Sequence, residues 1–498
     1  MLENRILNKA LKSKIMSAES ACEFIKPNMV VATSGFTPSG YPKAVPLALA
    51  EKIKKTGEEY HLTLITGASV GDELDGALAR AGAIDRRFPY QTNNEIRKQI
   101  NSGKIKYQDM HLSHVPQWMS SGYFGKINIA IVEACLITEE GGIVPTTSIG
   151  VTPQAIAEAD MVIIEINTTQ PLELVGCHDI YMIDLPPKRK PIPLLNPGDR
   201  IGTYYIPCDP SKIVAIVECA IPDKMRSLGE TDEDSEKISK HIIKFFDCEV
   251  EAGRLPENLL PLQSGVGSVA NAVLGGLIKS KYKDLTCFTE VIQDSMLDLI
   301  DAGKVKMASG TSFTPSDIGL KRLLENIEHY SKYCILRPQE ISNNPILARQ
   351  LGVISINTAI EIDIYGHVNS TMIMGSKMMN GIGGSGDFTR NSYISIFTTV
   401  STAKNGLISS IVPMVSHVDH TEHDVQVVIT EQGIADLRGL SPKERAEAII
   451  QNCVHPDYRE KLRDYFERAS LEVQGHEPHI LGEALSWHDK FLKTGSMK

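Results

Sequence analysis

The 498-residue sequence predicts an α/β fold made of two tandem open domains, and three features carry that expectation. Short β-branched runs alternate with amphipathic helical patterns, an acidic segment poor in apolar residues interrupts the alternation near residue 225, and two pairs of strings recur across that interruption at nearly equal offsets. Strand and helix alternating at this spacing mark a largely parallel sheet covered by helices.

In chain order, the stripe Ile6, Leu7, Leu11 and Ile15 reads as a helix docked on the core. Strands are expected at MVVAT around Val30, LTLIT around Leu64, INIAIV around Ile129, MVIIEI around Ile163 and KIVAIV around Ile216. Each is a Val/Ile-rich run with few charges, as a strand buried on both faces requires. SLGETDEDSEK follows Pro222 and has no apolar residue after Leu228; a new helical stripe then begins at Ile238, Ile242, Ile243 and Phe246. The domains are therefore expected at residues 1–225 and 226–498. HLTLITGASVGDELDG aligns with DLTCFTEVIQDSMLDL, setting Gly67 opposite Glu290. INIAIVEACLITEEGG aligns with VISINTAIEIDIYGH, setting Gly141 opposite Gly366. The near-equal offsets suggest one supersecondary unit used twice, a weak internal repeat. Only the second copy has a carboxylate at the turn, so the chemistry is expected there and the first copy is expected to close the cleft.

With 42% hydrophobic and 22% charged residues the composition is that of a globular chain. A net charge of −10 and the lack of a basic, aromatic-studded face argue against nucleic-acid binding. Lys188, Arg189 and Lys190 form the one tight basic run, but Pro186, Pro187, Pro191 and Pro193 surround it, so it reads as a solvated loop. The nine cysteines lack any C-x-x-C pair and read as reduced thiols. The N-terminal segment has no apolar core, and no run of about 18 apolar residues occurs, so neither secretion nor membrane spanning is expected and a cytoplasmic location is.

Two glycine loops carry the functional signal. One holds Gly265 and Gly267 in QSGVGSVANAVLGG; the other holds Gly375, Gly381, Gly383, Gly384 and Gly386 in MGSKMMNGIGGSGDF. Such clusters commonly form turns or connectors. Here, however, GVGSV runs directly into an apolar helical pattern at Val269, Val273, Leu274 and Leu277, which places its N–H groups at a helix start. Between the loops, in FTEVIQDS, lies Glu290. A carboxylate with an ordinary pKa of about 4.3 is ionised at neutral pH and needs no partner base to act as a nucleophile. Flanked by donor-rich loops, it points to acyl transfer, the acid attacking and the amides stabilising the oxyanion.

FTEVIQDS, LPLQSGVGSVANAVL, DIYGHVNST, GSKMMNGIGGSGDF, STAKNG, VPMVSHVDH and TEQGIADLRGLSP resemble the motifs of class I CoA-transferases, in particular the succinyl-CoA:acetate branch of the acetyl-CoA hydrolase/transferase group. GFTPSGYPKAVPLALA extends the likeness toward the start of the chain. The resemblance implies two CoA-transferase-type α/β domains with the active site between them, a homodimer, and ping-pong transfer of CoA between an acyl-CoA and a short carboxylic acid. It implies no metal and no tightly bound cofactor; coenzyme A is substrate and covalent intermediate. By the same resemblance Glu290 forms the anhydride and the glutamyl-CoA thioester. The amides of Val266 and Gly384 form the oxyanion hole, and Asn343 and Glu431 support the reacting carboxylates. Gly265, Val266, Gly267, Ser268, Val269, Asn380, Gly384 and Lys404 contact CoA. Ser268 stands where the family pattern has asparagine in GVGNV, a change that a backbone contact tolerates.

Rival readings remain. Acetyl-CoA hydrolysis differs from transfer only in which nucleophile reaches the intermediate, and propionyl- or butyryl-CoA needs only modest pocket changes. Gly265 to Ala270 mimics a dinucleotide fingerprint with Asp284 downstream, which would suit an NAD-dependent oxidoreductase, but Pro261 interrupts the preceding strand pattern. A silent CoA-binding regulator would not need Glu290. His417, His420 and His423, with Asp419 and Asp424, could supply zinc ligands; a polar hairpin turn between LISSIVPMV and VQVVIT is the reading favoured.

Overall fold

The computed structural model describes residues 2–225, 232–265 and 267–498, with the side chain of Ser268 also outside the description. Two mainly parallel sheets organise the chain. The first has seven strands, Val30–Thr33, Leu62–Ile65, Ile84–Phe88, Lys106–Tyr107, Ile129–Ala134, Met161–Asn167 and Ile213–Cys219. The second has eight, beginning with Leu262–Ser264, Leu285–Phe288, Val305–Gly310, Cys334–Leu336, Ile354–Thr358, Ile394–Thr398 and Val427–Thr430; its edge strand, Gly433–Asp436, is antiparallel. In each sheet the first strand in sequence lies at the centre, the second, third and fourth extend to one side, and the fifth, sixth and seventh extend to the other.

The β-branched runs form these strands because both sheet faces are covered: every residue of Ile129–Ala134 and of Ile394–Thr398 is buried. Burying each Val, Leu or Ile side chain contributes roughly 1.5–3 kcal/mol, which fixes strand register. In the first strand pair Val31 sits opposite Leu64, and in the second sheet Ile354 sits opposite Ile394. The stripe after the acidic segment forms the helix Glu233–Glu251, which buries Ile238, Ile242 and Phe246 and is capped by the Asp232 carboxylate accepting from the Ser235 N–H.

Two local expectations are corrected. Instead of one helix, the N-terminal stripe forms two 3₁₀ turns, Leu2–Arg5 and Lys9–Lys14, because Ile6 and Ile15 bridge to Ile137 and Ile216 and interrupt the helix at those two positions. Leu7 is exposed. The histidine segment is not a hairpin turn. Ile411–Val412 pairs in parallel with Glu361–Asp363 in a small three-stranded sheet, whereas Val427–Thr430 belongs to the large second sheet, so the segment between them is a crossover. All nine cysteines are free thiols. Among the described residues no helix is long and apolar enough to cross a membrane.

Candidate active site

Glu290 follows the second strand of the second sheet, Leu285–Phe288, at its C-terminal end. Its carbonyl accepts from the Thr311 N–H at 2.7 Å, so the backbone is pinned where the chain leaves the sheet. The side chain, half-buried, lines a cavity of about 150 Å³. Asn343, at the end of the turn Gln339–Ser342, donates its Nδ2 to Glu290 Oε1 at 2.7 Å. The Gly384 N–H donates to the same carboxylate.

Burial pushes the Glu290 carboxyl up to about 7, against the pull of the Asn343 and Gly384 donors, which favour the anion. Desolvation thus outweighs two donors, and the carboxyl stands above the ordinary glutamate value while retaining a substantial ionised fraction at neutral pH.

Both halves of the chain line the cavity. The first contributes Phe36, Thr37, Ala68, Tyr90 and Leu112; the second contributes Gly265, Val291, Asn357, Asn380 and the loop Gly381 to Ser385. Phe36, Ala68, Leu112 and Val291 pack together as an apolar wall beside the carboxylate. Ala68 follows Gly67, the residue the alignment set opposite Glu290.

The first half also holds the second glycine loop in place. Asn101 exchanges hydrogen bonds with the backbone of Met378 at 2.8 and 2.9 Å, Asp109 accepts from the Ile382 N–H at 2.6 Å, and Asp387 accepts from the Ser113 N–H at 3.0 Å. The glycines allow this approach. A Cβ on Gly381 would fall 2.6 Å from Asp109 Oδ1, and one on Gly384 would fall 2.6 Å from Glu290 Cδ and closer still to Oε1 and to Asn343 Nδ2.

The other predicted site residues divide between the cavity and its surroundings. Gly265 lines it, its N–H bonded to the Ile356 carbonyl and its carbonyl accepting from Gln293. Asn380 lines it with Oδ1 buried and unbonded to protein. Gly267, at φ 120°, caps the helix Ser268–Ile278, and Val269 is buried in the first turn. Val266 lies outside the described residues. Glu431 is not in the cavity wall; it accepts from the Ser401 N–H and from Gln432 Nε2. Lys404 sits in the turn between Thr402–Ala403 and Ile408–Ser409, its ammonium 5.0 Å from the centre of the Phe491 ring.

The histidine segment braces the site. His420 Nε2 lies 3.0 Å from Ser385 Oγ, and Asp419 accepts from the Ser370 N–H and Thr371 Oγ1. His417 pairs with Asp419 and His423 with Glu422. The three histidines thus take separate partners. His367, Glu422 and Glu477 are the one group of three potential metal ligands found among the described residues, and both His367 ring nitrogens already face carboxylates, those of Asp363 and Glu422.

Sequence reasoning missed Ser113, Asp109, Asn101 and Asp387, and the first-half cavity wall apart from the turn at Gly67. The sequence signals were two quoted strings: GFTPSG, which contains Phe36 and Thr37, and GSKMMNGIGGSGDF, which contains Asp387.

A family model described as the acetyl-CoA hydrolase/transferase N-terminal domain matches residues 1–218, and its C-terminal counterpart matches residues 319–466. The chain is 59% identical to a succinyl-CoA:acetate CoA-transferase of Clostridium kluyveri, across 100% of this chain and 92% of the relative. It is 44% identical to a propanoyl-CoA:succinate CoA transferase of Escherichia coli, across 97% and 98% of the two chains. It is 45% identical to an acetyl-CoA hydrolase of Neurospora crassa, across 100% and 97%. The solved 4-hydroxybutyrate CoA-transferase of Porphyromonas gingivalis shares the fold at 22% identity and a TM-score of 0.64, over 92% of this chain and 99% of that one.

Proposed function

The chain belongs to the acetyl-CoA hydrolase/transferase family and is an enzyme of the CoA-transferase type; on that premise we propose that it moves CoA from succinyl-CoA to acetate, with Glu290 as the nucleophile. One observation carries the site assignment: the Glu290 carboxylate lines a cavity to which both halves of the chain contribute, held by Asn343 and the Gly384 backbone.

Glu290 Oε attacks the thioester carbonyl, and the tetrahedral oxyanion collapses to a mixed anhydride with loss of CoA thiolate. The thiolate then attacks the glutamyl carbonyl, which releases the first acid and leaves a glutamyl-CoA thioester. The second carboxylate attacks that thioester, and the thiolate returned by this step attacks the new acyl carbonyl. Acyl-CoA departs and the Glu290 carboxylate is regenerated. Each preorganised N–H aimed at the oxyanion contributes on the order of 3 kcal/mol. The Gly384 N–H is one such donor; the family resemblance supplies Val266 as the second.

The apolar wall of Phe36, Ala68, Leu112 and Val291 supports a short acyl group, and burial of the carboxylate supports transfer over hydrolysis because an anhydride survives where water is excluded. Gly265, Gly267, Ser268, Val269, Asn380 and Lys404 are assigned to CoA, and Glu431 to support of the carboxylates. In the same reading residues 1–225 and 226–498 are separate domains, CoA is substrate and covalent intermediate with no other bound cofactor, and the enzyme is a cytoplasmic homodimer.

The test is a comparison of kcat/KM for succinyl-, acetyl-, propionyl- and butyryl-CoA with acetate and succinate as acceptors, alongside thioester loss without acceptor. Succinyl-CoA with acetate is expected to lead, and transfer to exceed hydrolysis by about 10² or more. Acceptor-independent CoA release as fast as turnover would assign a hydrolase instead.

A further inference from the structure

A second buried carboxyl group, within electrostatic reach of the nucleophile, is left unused by the reaction scheme. Asp387 is buried in the first turn of Ser385–Thr389, three residues after Gly384. Its Oδ2 accepts from the Ser113 N–H at 3.0 Å, and its Oδ1 lies 2.5 Å from Ser113 Oγ. The amide of Asn343 donates to Glu290 and also acts on the Asp387 carboxyl, where it favours the anion, and its Oδ1 accepts from Ser342 Oγ at 3.0 Å. One amide therefore acts on two carboxyl groups, bonded to Glu290 and influencing the buried Asp387.

We propose that Asp387 is a positioning residue for Glu290: with Asn343 it forms a two-carboxyl pocket that holds a single negative charge, the proton residing on Asp387 so that Glu290 is the free anion.

The surrounding charges support this. Glu290 is the charged group that acts on Asp387, and it repels a second anion. His111 packs against Gly386 with His114 at its edge, and its burial lowers its pKa, which favours the neutral ring. His420, bonded to Ser385, is held neutral by burial, its pKa lowered to about 4. Arg390, at the C-terminal cap of this helix, and Arg349, on the helix Pro345–Leu351 packed against it, are exposed, and Arg349 donates to the Arg390 carbonyl. No cation among the described neighbours balances two carboxylates. Burial accordingly pushes the Asp387 carboxyl up to about 8. A proton on Oδ1 makes Asp387 the donor to Ser113 Oγ across the same 2.5 Å, and the Ser113 N–H still serves Oδ2. When Asp387 ionises, it competes for the Asn343 amide and adds a charge beside the site where an anionic acceptor must approach.

The inference rests on Glu290 being the nucleophile, and the experiment separates the two ideas. The pH profile of kcat/KM is measured for the native enzyme and for D387N, D387A and E290Q, using succinyl-CoA and acetate. The native profile should fall about tenfold per pH unit above the Asp387 ionisation. D387N, which cannot ionise, should lose that alkaline limb, so its ratio of activity at pH ~9.5 to that at pH ~7 exceeds the native ratio by at least about tenfold. D387A should lower kcat more than KM, because Asn343 is no longer held, and D387N should recover most of that loss. An alkaline limb unchanged in D387N, or D387N as inactive as D387A, overturns the proposal. An active E290Q would instead remove the reading on which it stands.

Discussion

Replacing Gly384 by alanine isolates the placement of the nucleophile. The backbone there has φ −94° and ψ 3°, which alanine adopts without strain, so the perturbation is the methyl group alone. Its carbon would fall 2.6 Å from Glu290 Cδ, against the roughly 3.5–4.0 Å at which two carbons pack best. The carboxylate must move by about 1 Å, which breaks the 2.7 Å bond from Asn343 and the bond from the Gly384 N–H. A misplacement of that size costs about 10² in rate, or roughly 3 kcal/mol of barrier. The assay is steady-state kcat with saturating succinyl-CoA and acetate, read beside the melting temperature. G384A is expected to lose about 10² in kcat while melting within a few degrees of the native protein. A variant within about threefold of native kcat would refute the claim that this contact sets the reacting geometry.

Shortening the nucleophile in E290D draws the carboxylate back by one methylene from Asn343, and should lower kcat by about 10² or more while sparing the inhibition constant for free CoA; retained activity would refute the positional argument. In N343A the carboxylate loses a donor that favours its charged form, so its pKa rises further above about 7. Because the anion is the reactive form, the acid limb of kcat/KM moves to higher pH; a shift to lower pH would contradict the assigned role.

Much of the fold was legible because buried parallel strands leave a local signal: INIAIV and MVIIEI are short β-branched runs with a single polar residue each, the pattern of interior strands. Glu290 was legible for a related reason, since glycine loops that must meet a carboxylate closely leave their mark in composition. The N-terminal stripe misled because helical spacing says nothing about partners: Ile6 and Ile15 are claimed by the edges of distant strands, and those pairings override the helix. The histidine segment misled because two strand-like runs separated by a polar stretch look like a hairpin even when they join different sheets. Ser113 and Asp387 were invisible as a pair because 274 residues separate them, and only the docking of the two halves brings them together. The raised pKa of Glu290 was equally hidden, since desolvation depends on what covers a carboxylate and not on its neighbours in sequence.

The central claim is that CoA becomes covalently attached to Glu290. Enzyme incubated with succinyl-CoA in the absence of acceptor, then digested with trypsin, should carry CoA on the peptide from Asp284 to Lys304, and borohydride or hydroxylamine should inactivate only the acyl-CoA-treated protein. A free carboxylate resists both reagents and a thioester yields to both, so the sensitivity reports the intermediate itself. An adduct recovered on a different peptide, such as the one containing Glu431, or inactivation that does not depend on acyl-CoA, would contradict the account.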